Sequence, residues 1–427
     1  MMMNVKQTDL PNGVRVVTST MSHVQSVAVG IWVGVGGRHE PAPEAGVSHF
    51  IEHLLFKGTA KRSARQISEA IEGKGGYLNA FTQEEMTCYY ARVASDHVWT
   101  ALDVLADMYL HPRLAPADIE KERGVIIEEM MMYRDQPDQV VQEMLGETLW
   151  PGHALGRPLI GNLRSIKSLQ MASIQAYKQR TYVPENTVFA FAGRVEPADC
   201  VKQVRHLMSG LKANPAPPYD KVTDQVKQER LALKAKAIEQ THMAMGFRVF
   251  GRFDPRRFPL KVLNVILGEN MSSRLFQVVR EKYGLAYSIH STIQLFEETG
   301  VFVISAGLDR ERREKAVRLV CREVARLKKE AVPADELKRA KEYVVGHLKL
   351  ALENTSGHMM WIGENLMSYN AFVSPESVVK AVDAVTVADV RRLANELFQP
   401  DLTSLAILSP GLNKKDEAAC RQCLHTL

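Results

Sequence analysis

The stretch Gly46-Val47-Ser48-His49-Phe50-Ile51-Glu52-His53-Leu54-Leu55-Phe56-Lys57-Gly58 reads as a single helix, entered at Val47-Ser48 and closed near Lys57, with Gly58 suited to the C′ position. On that helix His49, Glu52 and His53 fall at i, i+3 and i+4, so two imidazoles and one carboxylate share a face. Two neutral imidazoles at about 2.0–2.1 Å suit zinc, and an unligated carboxylate beside them can take a proton from water on the metal. The order His-x-x-Glu-His is the reverse of the commoner zinc motif and is itself a zinc-peptidase signature. With 13 histidines in the chain, random placement yields this pentapeptide in about one in forty such sequences. The motif therefore needs support from elsewhere, and the simplest alternative is a helix bearing two satisfied histidines.

A catalytic zinc site takes three protein ligands and keeps one position open. The candidates for the third lie in Lys121-Glu122-Arg123-Gly124-Val125-Ile126-Ile127-Glu128-Glu129-Met130. Glu122, Val125, Ile126 and Glu129 follow helical spacing, which sets two carboxylates on an apolar face. A carboxylate turned inward needs a cation or donors. Zinc would supply the cation for Glu129, and the N–H of a ligating histidine would pair with Glu122. Glu128 lies about 100° away and reads as solvated.

Outward from these helices the chain alternates strand and helix signals. Leu10-Pro11-Asn12-Gly13-Val14-Arg15-Val16-Val17 reads as two strands about an Asn-Gly turn of type I′. Val27, Val29, Ile31 and Val33 mark another strand; 76–82, 88–93 and 186–193 mark more. Helical patterns cover roughly 95–111 and 116–133. Pro215, Pro217 and Pro218 fall in a linker-like stretch. After it, 243–249 reads as a strand, 260–267, 311–329 and 333–353 as helices, and 402–408 as a last strand. The repeated order predicts a duplicated α+β unit of about 200 residues. The expected domains are 1–212, carrying the metal motif, and 229–427, without one, joined by a linker at 213–228.

The 427 residues are 45% hydrophobic and 24% charged, which excludes a disordered or fibrous chain. The net charge of +5 is dispersed, so nucleic-acid binding is not expected. There is no stretch of some 18 apolar residues for a membrane span, and neither a signal nor a transit pattern at the start, so a cytoplasmic location is expected. Five cysteines, sparse and odd in number, fit a reducing environment. Cys420 and Cys423 form a C-x-x-C near the end that reads as a frayed tail, with metal or redox chemistry the alternative. Cys88 and Cys200 lack the spacing of a closed structural zinc site.

On these residues the chain resembles the pitrilysin-type zinc peptidases, and within them the processing-peptidase branch. In that family a glutamate follows the second motif histidine by some 76 residues, which here is Glu129. Gly75-Gly76-Tyr77-Leu78-Asn79-Ala80-Phe81-Thr82 resembles the strand to which family substrates add as a β-strand, placing Asn79, Ala80 and Phe81 in substrate binding. His153-Ala154-Leu155-Gly156-Arg157-Pro158 is similar to a family loop, and 273–287 resembles the segment whose Arg and Tyr reach over the substrate, here Arg280 and Tyr287. Gly268-Glu269-Asn270-Met271 departs from a more glycine-rich family loop.

The resemblance implies two homologous α/β-sandwich domains, with mixed sheets packed against helices, forming half of a clamshell chamber. The other half would be a second copy, giving a homodimer, or a homologous chain. It implies one Zn²⁺ per chain on His49, His53 and Glu129, Glu52 as general base, Glu122 behind the ligands, and endopeptidase action on unfolded or short polypeptides. Some relatives are non-catalytic scaffold subunits, which predicts broken metal positions. All four are intact here.

Overall fold

The computed structural model describes residues 3–223 and 230–427. The first sheet contains β1 (Val5–Asp9), β2 (Arg15–Thr20), β3 (Ser26–Val33), β4 (Tyr77–Thr82), β5 (Thr87–Ala94) and β6 (Thr187–Gly193), in the order β1-β2-β6-β3-β5-β4. The second contains β7 (Arg230–Ala235), β8 (Thr241–Phe250), β9 (Ala286–Leu295), β10 (Thr299–Leu308) and β11 (Thr403–Ser409), in the order β7-β11-β8-β10-β9. Setting β1 aside, the two orders are the same plan. Each has one parallel pair, β2 with β6 and β7 with β11, and every other pairing is antiparallel. The mixed α/β fold and the duplication expected from the strand and helix order are both present.

The central strands explain the layering. In β3, Val27 to Val33 are all buried, so both faces of the first sheet need cover. The helix Val98–Leu110 packs on β3 and β5, and the helix Thr355–Tyr369 packs on β2, β3 and β6. Trp32, Ala190, Met359, Ile362 and Leu366 form one continuous apolar cluster there. Contact is close enough that a Cβ on Gly363 would meet Trp32 Nε1 at 2.1 Å. In the second sheet the equivalent cover is the helix Pro137–Leu149, whose Val141, Leu145 and Leu149 pack with Ala244, Ala406 and Leu408.

The compact units are therefore discontinuous in sequence. One comprises Met1–Met130, Arg157–Asp220 and Lys349–Glu376, and the other Met131–Gly156, Lys221–Leu348 and Ser377–Leu427. Each sheet takes a covering helix from the opposite half of the chain, which the continuous division 1–212 and 229–427 does not contain. Periodicity shows that a helix has an apolar face but not which sheet that face meets. Of the expected linker, residues 213–223 hold no helix or strand, and 224–228 lie outside the described residues.

Local differences have local causes. The turn before β2 is five residues long and only Gly13, at φ +92°, has positive φ, so it is not type I′. Asn12 instead turns its side-chain amide to the carbonyls of Met208 and Leu211, at 2.9 and 3.3 Å. The C-terminal C-x-x-C is not frayed: Cys420 and Cys423 are buried on the helix Lys414–Leu424, which packs on the helix Arg313–Lys329, and both thiols are free. No helix among the described residues is long and apolar enough to cross a membrane.

Candidate metal centre

The motif helix spans Val47–Leu55 and begins on Gly46, whose φ of +90° is left-handed. The exposed amides of its first turn are met by a residue the sequence reading missed. Buried Glu40 accepts from Gly46 N at 2.7 Å and Ser48 N at 2.8 Å, one amide on each carboxylate oxygen. Burial pushes this carboxyl up to about 7, against the pull of the two amides and nearby Arg157. At the other end the helix stops two residues earlier than expected. Gly58, at φ +123°, does not cap it but turns the chain into bridges of Gly58 with Ser63 and Thr59 with Pro112.

The long helix Pro116–Arg134 supplies the carboxylates. Its apolar face is narrower than expected, since Ile126 is buried but Val125 is exposed. Arg123, buried and also missed, fixes this helix: Nη1 donates to Ile166 O, Nη2 donates to Leu169 O at 2.8 Å, and the guanidinium lies over the Phe50 ring of the motif helix. Glu128 is exposed, as expected.

The two helices bring His49, His53 and Glu129 together, with one ligand atom from each within 4.8 Å of the others. His53 Nε2 lies 3.7 Å and His49 Nε2 3.9 Å from Glu129 Oε2. Ligands about a tetrahedral zinc stand roughly 3.4 Å apart, so each of these two histidine–Glu129 separations is within about half an ångström of that spacing. His53 Nδ1 lies 3.3 Å from Oε2 of Glu122, which is almost fully buried. Lys57 Nζ approaches Glu122 Oε1 to 2.9 Å, as an ion pair without hydrogen-bond alignment. The sequence signal for Lys57 was its place four residues beyond His53.

The electrostatics favour a cation. Glu52, Glu122 and Glu129 bring three carboxylates to this region, and Lys57 pairs with Glu122. His49 is pushed down to about 4, first by burial and then by adjacent His53, which keeps it in the neutral, ligating form. Its buried Nδ1 has no hydrogen-bond partner among the described residues. The donor set of two imidazoles and a carboxylate, with His53 held from behind, fits zinc.

Glu52 is close enough to His53 and Glu129 to be affected by their charges but is not in the metal-compatible group. Its Oε2 accepts a hydrogen bond from Thr82 Oγ1. Burial raises its pKa, opposed by the Thr82 bond and His53 and reinforced by Glu129. Thr82 ends β4, the edge strand that also carries Asn79, Ala80 and Phe81. Asn79 accepts from Ala80 N at 2.8 Å and donates to Tyr77 Oη at 2.6 Å, while Phe81 packs edge-on against Trp32. In the second unit, the Arg280 guanidinium lies over the rings of Phe276 and Tyr287, at 4.8 and 5.9 Å, and Tyr287 is 77% exposed.

Comparison with known proteins agrees with this architecture. Residues 15–163 match the family described as insulinase (peptidase family M16), and 168–344 match the peptidase M16 inactive domain. The chain is 37% identical to a Bacillus subtilis protein named uncharacterized zinc protease YmxG, over 96% of this chain and 99% of that one. It is 39% identical to an uncharacterized zinc protease of Mycobacterium tuberculosis, over 96% and 94%. Among solved structures, a protease from Helicobacter pylori superposes with a TM-score of 0.90 at 23% identity, covering 96% of this chain and 100% of that one. A peptidase M16 inactive domain from Pseudomonas fluorescens gives 0.88 at 20% identity, covering 96% and 99%. The matched profiles, the full-length relatives and the shared fold identify this chain as a member of peptidase family M16.

Proposed function

We propose that this chain is a zinc-dependent endopeptidase of unfolded or short polypeptides, with His49, His53 and Glu129 as metal ligands and Glu52 as general base. The observation that carries the reading is the convergence of those three ligating side chains with Glu52 beside them but outside the ligand set. Zinc, when bound, polarises the scissile carbonyl and acidifies the attacking water. Glu52 removes the proton from that water as its oxygen bonds to the carbonyl carbon, and delivers it to the amine nitrogen as the C–N bond breaks. Glu122 orients the His53 ring. The substrate backbone pairs with the outer edge of β4 as an added strand, a mode that reads extended shape more than sequence. Arg280 and Tyr287 offer an exposed cation and hydroxyl to peptide carbonyls.

The test is hydrolysis of a mixed quenched-peptide library before chelation, after it and after zinc is restored. The reading requires loss and recovery. Zinc-loaded protein that cleaves nothing points instead to a peptide-binding or scaffold subunit, or to an absent partner chain.

A further inference from the structure

The hydroxyl of Thr82 is the one hydrogen-bond partner of the Glu52 side chain among the described residues. The two come from different elements: Glu52 from the motif helix and Thr82 from the last position of edge strand β4. The backbone around Thr82 is unusually well fixed. Thr82 pairs with Thr87 of β5, and Gln83 N donates to Met86 O at 2.8 Å across the hairpin. From the outside, Gly37 N donates to Gln83 O at 3.2 Å and Arg38 N to Glu84 O at 2.8 Å. The Thr82 side chain is itself buried. A β-branched residue on such a backbone has few rotamers, so its hydroxyl is a fixed point against which the longer Glu52 side chain is set.

We infer that Thr82 is a positioning residue for the proposed general base: its hydroxyl holds Glu52 Oε2 and leaves Oε1 directed to the reacting water. The inference rests on the peptidase reading above. It gives β4 two tasks, since the strand offered to the substrate backbone also fixes the base through its last side chain. The carboxylate enters the reaction in one orientation instead of several, which lowers the barrier without adding an interaction to the bound substrate. The proton taken from water sits on Oε1, and Oε2 keeps its donor throughout.

Three variants test this: Thr82→Val, which keeps the branched shape and removes the hydroxyl, Thr82→Ser, which keeps the hydroxyl, and Glu52→Gln. Loss of a hydrogen bond to a charged group predicts a kcat for Thr82→Val lower by roughly tenfold to a hundredfold, with KM, zinc content and melting temperature near wild type. Thr82→Ser restores kcat to within about threefold. On a Glu52→Gln background, Thr82→Val adds little. A readout independent of turnover is the carboxylate band of Glu52, isolated as the infrared difference between the protein and its Glu52→Gln variant. The band shifts in Thr82→Val and stays in Thr82→Ser. Unchanged kcat in Thr82→Val, equal losses in both Thr82 variants, or a band that does not move overturns the inference. Absence of turnover in zinc-loaded wild type counts against the peptidase reading of the chain acting by itself, and the infrared band then decides the Thr82–Glu52 link independently.

Discussion

His53 Nδ1 lies 3.3 Å from Glu122 Oε2, on the opposite side of the ring from the nitrogen that faces Glu129. One ring is thus held from behind by one carboxylate while its other nitrogen is presented beside a second. Such an arrangement sets both the tautomer and the orientation of the imidazole before any metal arrives.

Glu122→Gln keeps the size of the side chain and removes the charged acceptor. Zinc affinity is expected to fall by about tenfold to a hundredfold, the usual consequence of removing such a partner. Competition with a chromophoric chelator measures it directly. An affinity equal to wild type would show that His53 is oriented by its packing alone.

Glu40 predicts a pH dependence of stability. Its carboxyl is pushed up to about 7 in the folded chain, from an ordinary value of 4.5, so the fold holds more protons than the unfolded chain between those values. The contribution is therefore full below pH 4.5 and is lost as the pH rises through 7, by at most about 3 kcal/mol. Glu40→Gln lacks this slope, so urea unfolding in chelator should show the variant gaining on wild type between pH 5 and pH 8. Parallel profiles would mean that the two amides and the helix dipole keep Glu40 ionised throughout.

Gly363 tests the packing of the borrowed helix. A methyl group there meets Trp32 Nε1 at 2.1 Å, and Trp32 is fully buried in a sheet that cannot give way locally. Gly363→Ala should destabilise the fold by about 2 kcal/mol through overpacking. Adding Trp32→Phe, which removes the clashing ring, should recover part of that loss. A single variant as stable as wild type would contradict the close approach of this helix to β3.

Much of the fold was legible because it depends on local pattern. The alternation in Val27 to Val33 located β3, and the apolar spacing with flanking turns located the long helix ending at Arg134. The exchanged covering helices were not legible: neither Pro137–Leu149 nor Thr355–Tyr369 was among the helices read from the sequence, and an apolar face carries no mark of the sheet it serves. The candidate site divides along the same line. His49, Glu52 and His53 declare themselves by helical spacing, and Glu129 was singled out by a carboxylate on a partly apolar face and by the family resemblance. Glu40, Thr82 and Arg123 act through one or two contacts each that the sequence does not mark: two amides, one base and two carbonyls. Lys57 was marked only by its place one turn beyond His53. Thr82 stood within the quoted strand, yet nothing in a strand pattern says that its hydroxyl meets Glu52.

The most direct test of the central claim is to measure zinc content and peptide turnover on the same preparation of Glu52→Gln. Since Glu52 lies beside the ligand set without belonging to it, the variant is expected to fold, bind zinc with the stoichiometry of wild type and lose at least about a hundredfold in kcat. A zinc-loaded Glu52→Gln protein that cleaves peptides at the wild-type rate would contradict the account.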